Sequence, residues 1–371
     1  MKEIGITSIA PSLQKLIVEA QVMKPMSRTR SQASGSLTSR ICRILVANLL
    51  GMALLTAGVP TSSAASVAAH FAEPTAMTVS GNNLYVVNTS SNSVTQIDAA
   101  SGDIKGEFGG TRLRMDSPVA IVVALSRVWV ANFGNDSVTE WKVGSNSGNV
   151  LSGSKFGFSQ PQSIIYEGGF LWVANLHSST ITIISATTLK ARILDIGSDG
   201  CLSPTALEYS SGTVWATCSQ SNSLLGLSSA NLKVKSFVGG SGGRLFGPGP
   251  ILQVGKNLWV ANVASSSVSR FDVTGGTRAR LSCEVRDGFA TPESFAFSGT
   301  NIYVANMLGH SVAILPSIGC QQTGLRHLVS TFLREPDALG VIGSSLFVAD
   351  AQAQDVVEFS TISLKVIRVI H

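Results

Sequence analysis

Seven times along the chain an apolar pentapeptide returns with an aromatic at its second position: Tyr85, Trp129, Trp172, Trp215, Trp259, Tyr303 and Phe347, spaced 43 or 44 residues apart. Leu84-Tyr85-Val86-Val87-Asn88 and Leu171-Trp172-Val173-Ala174-Asn175 are typical copies. An apolar run this short, bounded by Gly, Ser and Asn, predicts a buried strand. Behind each pentapeptide a polar loop leads into a segment that alternates apolar and polar positions, such as Ser93-Val94-Thr95-Gln96-Ile97-Asp98 or Ser267-Val268-Ser269-Arg270-Phe271-Asp272. Period-two alternation predicts another strand.

A proline stands eleven residues before each aromatic, at Pro74, Pro118, Pro161, Pro204, Pro248, Pro292 and Pro336. Proline cannot donate to a strand ladder, so it belongs at a strand's first residue or in the loop before it. Each unit therefore opens at its proline with a short apolar run such as Ser163-Ile164-Ile165-Tyr166. A turn such as Gly81-Asn82-Asn83 follows, then the pentapeptide, the alternating segment and a last strand such as Leu189 to Ile196. These are strands A to D of one antiparallel sheet. Repeated in series, such units predict an all-β fold, a seven-bladed β-propeller of four-stranded antiparallel blades, because one twisted sheet can bury its faces only against neighbouring copies. The aromatics then pack between blades and form no ligand cage. Blade 7 draws all its strands from the C-terminal end, with Ser363 to Ile370 outermost. The ring is expected to close by side-chain packing on blade 1; an edge pairing by Val67 to Phe71 would be the exception.

Leu84 to Ile104, reading LYVVNTSSNSVTQIDAASGDI, resembles the YVTN family of β-propeller repeats. Segments such as Gly288-Phe289-Ala290-Thr291-Pro292 and Arg244-Leu245-Phe246-Gly247-Pro248 resemble NHL repeats. The likeness covers residues 70 to 371 and implies an exported or cell-surface protein whose propeller is a binding platform. More distantly, the LWVAN strings preceded by a proline resemble the virginiamycin B lyase family. That resemblance implies a propeller enzyme using histidines and a glutamate with a magnesium ion to open a cyclic lactone. No histidine of this chain stands in a motif onto which those residues carry over, and the ligand spacing of calcium-dependent propeller lactonases is not evident.

With 44% hydrophobic and 13% charged residues the chain is no disordered polymer. The formal charge of +5 lies entirely in residues 1–65, which hold seven basic and two acidic residues; residues 66–371 hold 20 of each. A neutral body without basic stripes excludes nucleic acid as a partner. In the leader, Arg40 and Arg43 precede an apolar core over 44–59 and the small residues Thr61-Ser62-Ser63-Ala64-Ala65. That order is a signal peptide cleaved near Ala64 or Ala65, leaving the propeller at 66–371. The core of 16 residues is shorter than the ~20 that span a bilayer, so no stable membrane span is expected after cleavage. The expected product is a monomer, secreted or held in a periplasm or at a cell surface. It keeps Cys201, Cys218, Cys283 and Cys320, an even number for an oxidising compartment. Cys201 lies three residues before Pro204 and Cys218 ends strand B of the same blade, so the hairpin makes them a disulfide candidate. Cys283 and Cys320 fall on the outer strands of blades 5 and 6.

The loops from B to C and from D to the next A share one face, where a ligand is expected. The B to C loops present Phe133, Leu176, His177, Val263, Met307, Leu308 and His310. As exposed tips they would form a protein or peptide patch; otherwise they fold over the inter-blade core. The residue after each proline points near the channel mouth, in the series Thr75, Val119, Gln162, Thr205, Gly249, Glu293 and Asp337. Solvated rim acids are the ordinary fate of Glu293 and Asp337. Brought together with His310, they would bind a hard cation or act as an acid and base pair. Arg112, Arg114, Lys155, Arg244, Arg286 and Arg334 stand in loops leading into strand A, where solvation is their ordinary fate and an anionic glycan or peptide terminus the alternative use. The leading expectation is a non-catalytic binding scaffold for a protein, peptide or glycan, without a cofactor. The alternative is a metal-dependent lyase or lactonase acting on a small cyclic ester with Ca or Mg; a third is a purely structural repeat.

Overall fold

The computed structural model describes residues 70–239, 242–275, 278–319 and 325–371. Among the described residues twenty-eight strands form seven antiparallel four-stranded sheets, each built from consecutive strands. Blade 1 consists of Pro74–Ser80, Asn83–Asn88, Ser93–Asp98 and Ile104–Gly109. All seven A strands begin at the repeated proline. The ladder shifts register just after it in most blades, as between Pro204 and Ala206, which accommodates a residue without an N–H. The leader and its proposed cleavage site lie outside the described residues. No helix among the described residues is long and apolar enough to cross a membrane.

The B strands carry the core. Trp129, Trp215 and Tyr303 are wholly buried and Trp259 nearly so. Each B-strand aromatic packs across an inter-blade space rather than within one sheet: Trp172, Ala174 and Ile181 of blade 3 meet Leu207, Val214 and Ala216 of blade 4. Gly226, the cross-strand partner of Trp215, makes room for that ring, since a β-carbon there would lie 2.7 Å from the indole.

Blade 7 is Pro336–Ile342, Ser345–Asp350, Asp355–Ser360 and Val366–Ile370, and among the described residues no N-terminal strand is added to it. Ala338, Phe347 and Ala349 pack instead on Leu84, Val86 and Ile97, with Phe71 wedged wholly buried between the two blades. Arg368 bonds to buried Glu358 and donates through Nη2 to the Ala100 carbonyl at 2.8 Å, a tie from the last strand to the first blade. The sheet of blade 1 has four strands; residues 67–69 of the considered edge pairing lie outside the described residues.

Candidate functional site

The face carrying the B to C and D to A loops is fixed by two repeating hydrogen-bond devices. The first lies between blades. The last residue of every B to C turn has a left-handed backbone: Asn92, Asp136, Ser179, Asn222, Ser266, His310 and Gln354, with φ from 49° to 57°. In five of them the side chain accepts a bond from the backbone N–H before the next blade's proline: Asn92 from Ser117 (2.7 Å), Asp136 from Gln160 (2.7 Å), Ser179 from Ser203 (3.1 Å), Asn222 from Gly247 (2.7 Å) and Ser266 from Thr291 (3.4 Å). His310 breaks the series, bonding through Nδ1 to the Arg334 carbonyl.

The second device lies within a blade. Asn132, closing strand B, donates through Nδ2 to Ser137 Oγ (3.0 Å) and Thr139 Oγ1 (2.8 Å) of strand C, and Thr139 donates on to the Leu113 carbonyl (3.0 Å) in the loop before strand A. Asn88, Asn175 and Asn262 make the same two bonds to strand C in their blades. Blade 6 keeps the asparagine but has Ala313 at the second acceptor position, and Asn306 donates instead to the Gly288 carbonyl (3.1 Å). In blade 4 Cys218 takes the asparagine's place and is bonded to Cys201 of the preceding loop, with Cα atoms 5.2 Å apart. Cys283 is disulfide-bonded too; Cys320 lies outside the described residues.

In blade 7 the position is Asp350, wholly buried, which accepts from the N–H groups of Arg334 (2.6 Å), Glu335 (2.9 Å) and Ala353 (2.8 Å). Its cross-strand partner is Asp355, where the other blades have Ser or Thr. Burial pushes the Asp355 carboxyl up to about 7, helped by the Asp350 charge and opposed by Arg334.

These devices decide the fate of the apolar loop residues. The residue after each pentapeptide donates its N–H to the carbonyl before its own blade's proline, as Phe133 does to Ser117 (3.0 Å), Leu176 to Gln160 (3.1 Å) and Met307 to Thr291 (3.2 Å). Phe133, Leu176 and Val263 are therefore half-buried and Met307 is buried, folded inward rather than standing as tips. Leu308 remains 59% exposed, and His177 and His310 are exposed.

A cavity of about 290 Å³ occupies the channel mouth, lined by Thr75, Gln162, Thr205, Val263, Glu293 and Asp337 among others. The expectation of solvated rim acids is corrected here: Glu293 is 8% exposed and Asp337 3%. They follow the strand-opening prolines of adjacent blades, whose register shift turns them inward to the channel. His310, held to Arg334, is not among the residues lining this cavity, so the alternative grouping of His310 with the two acids is not formed there. Among the described residues no three His, Cys, Asp or Glu side chains are grouped to hold a metal ion.

A second cavity, of about 680 Å³, lies on the same face between blades 4 and 5, lined by Asn222, Arg244, Phe246, Ser265, Glu284 and Arg286. Arg244 and Arg286, distant in sequence, converge there on one carboxylate. Arg112 bonds to Asn146 on another loop, and the remaining basic loop residues line neither cavity.

No protein-family model matches the chain, and no curated protein matches its sequence. Its likenesses are structural. A catalytically inactive variant of virginiamycin B lyase from Staphylococcus aureus, with quinupristin, superposes with a TM-score of 0.66 at 15% identity, covering 79% of this chain and 96% of that one. Hydrazine synthase of Kuenenia stuttgartiensis gives 0.64 at 17% identity over 83% of this chain and 100% of that chain. A 6-phosphogluconolactonase-like protein of Bacteroides uniformis gives 0.58 at 14% identity, covering 79% and 92%. Identities this low are a likeness of fold, which hosts unrelated chemistries.

Proposed function

We propose that the protein is an exported, monomeric binding scaffold that takes a protein, peptide or glycan on the face of its B to C and D to A loops, centred on the channel mouth. The observation that carries this reading is the convergence of Thr75, Gln162, Thr205, Glu293 and Asp337, one residue from each of five blades, on a single cavity at that face. Such a set lines the recess with carboxylate, amide and hydroxyl oxygens suited to accept from amide, ammonium or sugar hydroxyl groups, on a frame fixed by the two hydrogen-bond devices. The Cys201–Cys218 bond fits an oxidising compartment and supports the export reading.

The lyase or lactonase reading rests on the same two carboxylates, which would then hold Ca or Mg while a cyclic ester is opened. Glu293→Gln with Asp337→Asn tests both. The purified protein and this variant are probed on peptide and glycan arrays, by metal analysis and with a panel of cyclic esters. The expected result is at least one array ligand weakened about tenfold or more in the variant, equivalent to about 1.4 kcal/mol, at an unchanged fold. Binding that ignores the variant would move the site away from the channel. Ester turnover with bound metal, lost in the variant, would replace the scaffold by an enzyme.

A further inference from the structure

We propose that the cavity between blades 4 and 5 is an oxyanion subsite, built to receive a carboxylate carried beside an apolar group. Its base is Glu284, which belongs to strand D of blade 5, Arg280–Val285, and whose side chain is only 4% exposed. Oε1 accepts from Ser267 Oγ at 2.8 Å, and Oε2 accepts from Arg286 Nε at 2.9 Å, with Arg286 Nη2 also at 2.9 Å. Glu284 thus holds the Arg286 guanidinium in one orientation. The Arg244 guanidinium reaches the same oxygen only at 4.0 Å, outside hydrogen-bond distance, and its side chain is 58% exposed. Two guanidinium groups over one buried carboxylate leave one positive charge in excess, in a recess large enough for a small organic anion.

The backbone points the same way. Arg244 adopts a left-handed conformation, φ 45°, at the loop position that Gly157, Gly200 and Gly288 occupy before blades 3, 4 and 6. Arg114 does the same before blade 2 with φ 48°, so the conformation alone is no mark of a site. What distinguishes Arg244 is its setting: a strained residue that brings a planar fork of donors beside a second one already oriented. Phe246, 56% exposed, supplies an apolar wall of the same recess. A large aromatic left in water beside a guanidinium pair suits a ligand with an anionic end and an apolar body. Glu284 is then both the brace of the site and its internal competitor, because a carboxylate ligand would take over its partners in part.

The probe is phenylacetate, with acetate and the cationic phenethylammonium for comparison, titrated into the whole protein and followed by the arginine Nε–Hε signals and the backbone amides of residues 244–246 in ¹H–¹⁵N spectra. Saturable shifts are expected for phenylacetate, weaker ones for acetate and none for phenethylammonium. Arg244→Gln is expected to weaken phenylacetate about tenfold or more, and Phe246→Ser to erase its advantage over acetate. Glu284→Gln, which keeps the bond to Ser267, is expected to tighten phenylacetate several-fold by releasing Arg286. Shifts that never saturate, or that are equal in wild type and Arg244→Gln, overturn the site. Weaker binding in a folded Glu284→Gln would overturn the competition assigned to Glu284 and leave it a brace. The channel variant Glu293→Gln, Asp337→Asn is expected to leave these titrations unchanged, so this site and the channel mouth stand or fall separately.

Discussion

Strand B ends on asparagine in blades 1, 2, 3, 5 and 6, on Cys218 in blade 4 and on Asp350 in blade 7. All three residue types join the same two segments, the end of strand B and the loop that leads into strand A. In blade 2 the join is a set of neutral hydrogen bonds through Ser137 and Thr139. In blade 4 it is covalent, and the hydroxyl acceptor on strand C gives way to Leu225. In blade 7 it is made by a carboxylate: Asp350 gathers three backbone N–H groups and faces Asp355, while Val357 stands where a hydroxyl would be. One geometric requirement is met by three chemistries, so a repeat conserves a connection rather than a residue. The three differ in what can undo them: a neutral bond by competition, a disulfide by reductant, a carboxylate pair by pH.

The largest effect that would sharpen this contrast is expected in blade 4. Replacing Cys201 and Cys218 by Ser closes no loop of separation 17 in the unfolded chain, and should cost about 3 kcal/mol by the chain-entropy estimate. Urea unfolding under oxidising conditions reads it, and a cost below that of a single asparagine latch would show that the covalent join adds nothing. Next comes Asn132→Ala, which removes two buried bonds and should cost about 2 kcal/mol. A negligible cost there would mean that strand packing, not the latch, holds the loop.

The smallest effect, and the one with a distinctive sign, is in blade 7. The Asp355 carboxyl titrates near 7 when folded and near 3.8 ordinarily, so the folded state keeps a proton that the unfolded chain releases. Stability should therefore fall as pH rises from about 4 to about 7 and level off above that. Asp355→Asn should stabilise the protein at pH 8 and leave it unchanged at pH 4. Burial also pushes Glu208, on strand A of blade 4, up to about 7, so it contributes with the same sign. Chemical unfolding across this pH range, with Glu208→Gln beside Asp355→Asn, separates the two. A wild type whose stability rises over the interval would break the comparison.

The frame was legible because packing in a propeller writes itself into periodicity. Prolines eleven residues before aromatics can recur only if each unit repeats the same strand start and the same buried strand. The loops were less legible because their repetition is one of geometry. Asn92, Asp136, Ser179, Asn222 and Ser266 share a role that no single residue type marks; the only trace is a small polar residue just before strand C. The sequence leaves Phe133 and Leu176 open between exposed tips and residues folded over the core, because composition does not reveal that their N–H groups are bound to the loop opposite. Glu293 and Asp337 looked like rim acids because exposure depends on the inward turn after a proline. The Arg244 and Arg286 cavity was visible only as two basic residues among several, since their meeting over Glu284 needs strand D of blade 5 laid beside the loop before it.

The join between blades 7 and 1, to which Phe71 and Arg368 contribute, has a consequence for how the molecule comes into being. During synthesis blade 1 is complete in sequence some 260 residues before its last neighbour, as the separation of 268 between Arg368 and Ala100 measures. Its outward apolar face must wait unpartnered through that interval, because contacts this far apart along a chain form late. A nascent chain that has not yet made strand D of blade 7 is an open arc whose blade 1 face lacks its partner, so the Arg368 and Phe71 contacts separate a closed ring from a species exposed to proteases and aggregation.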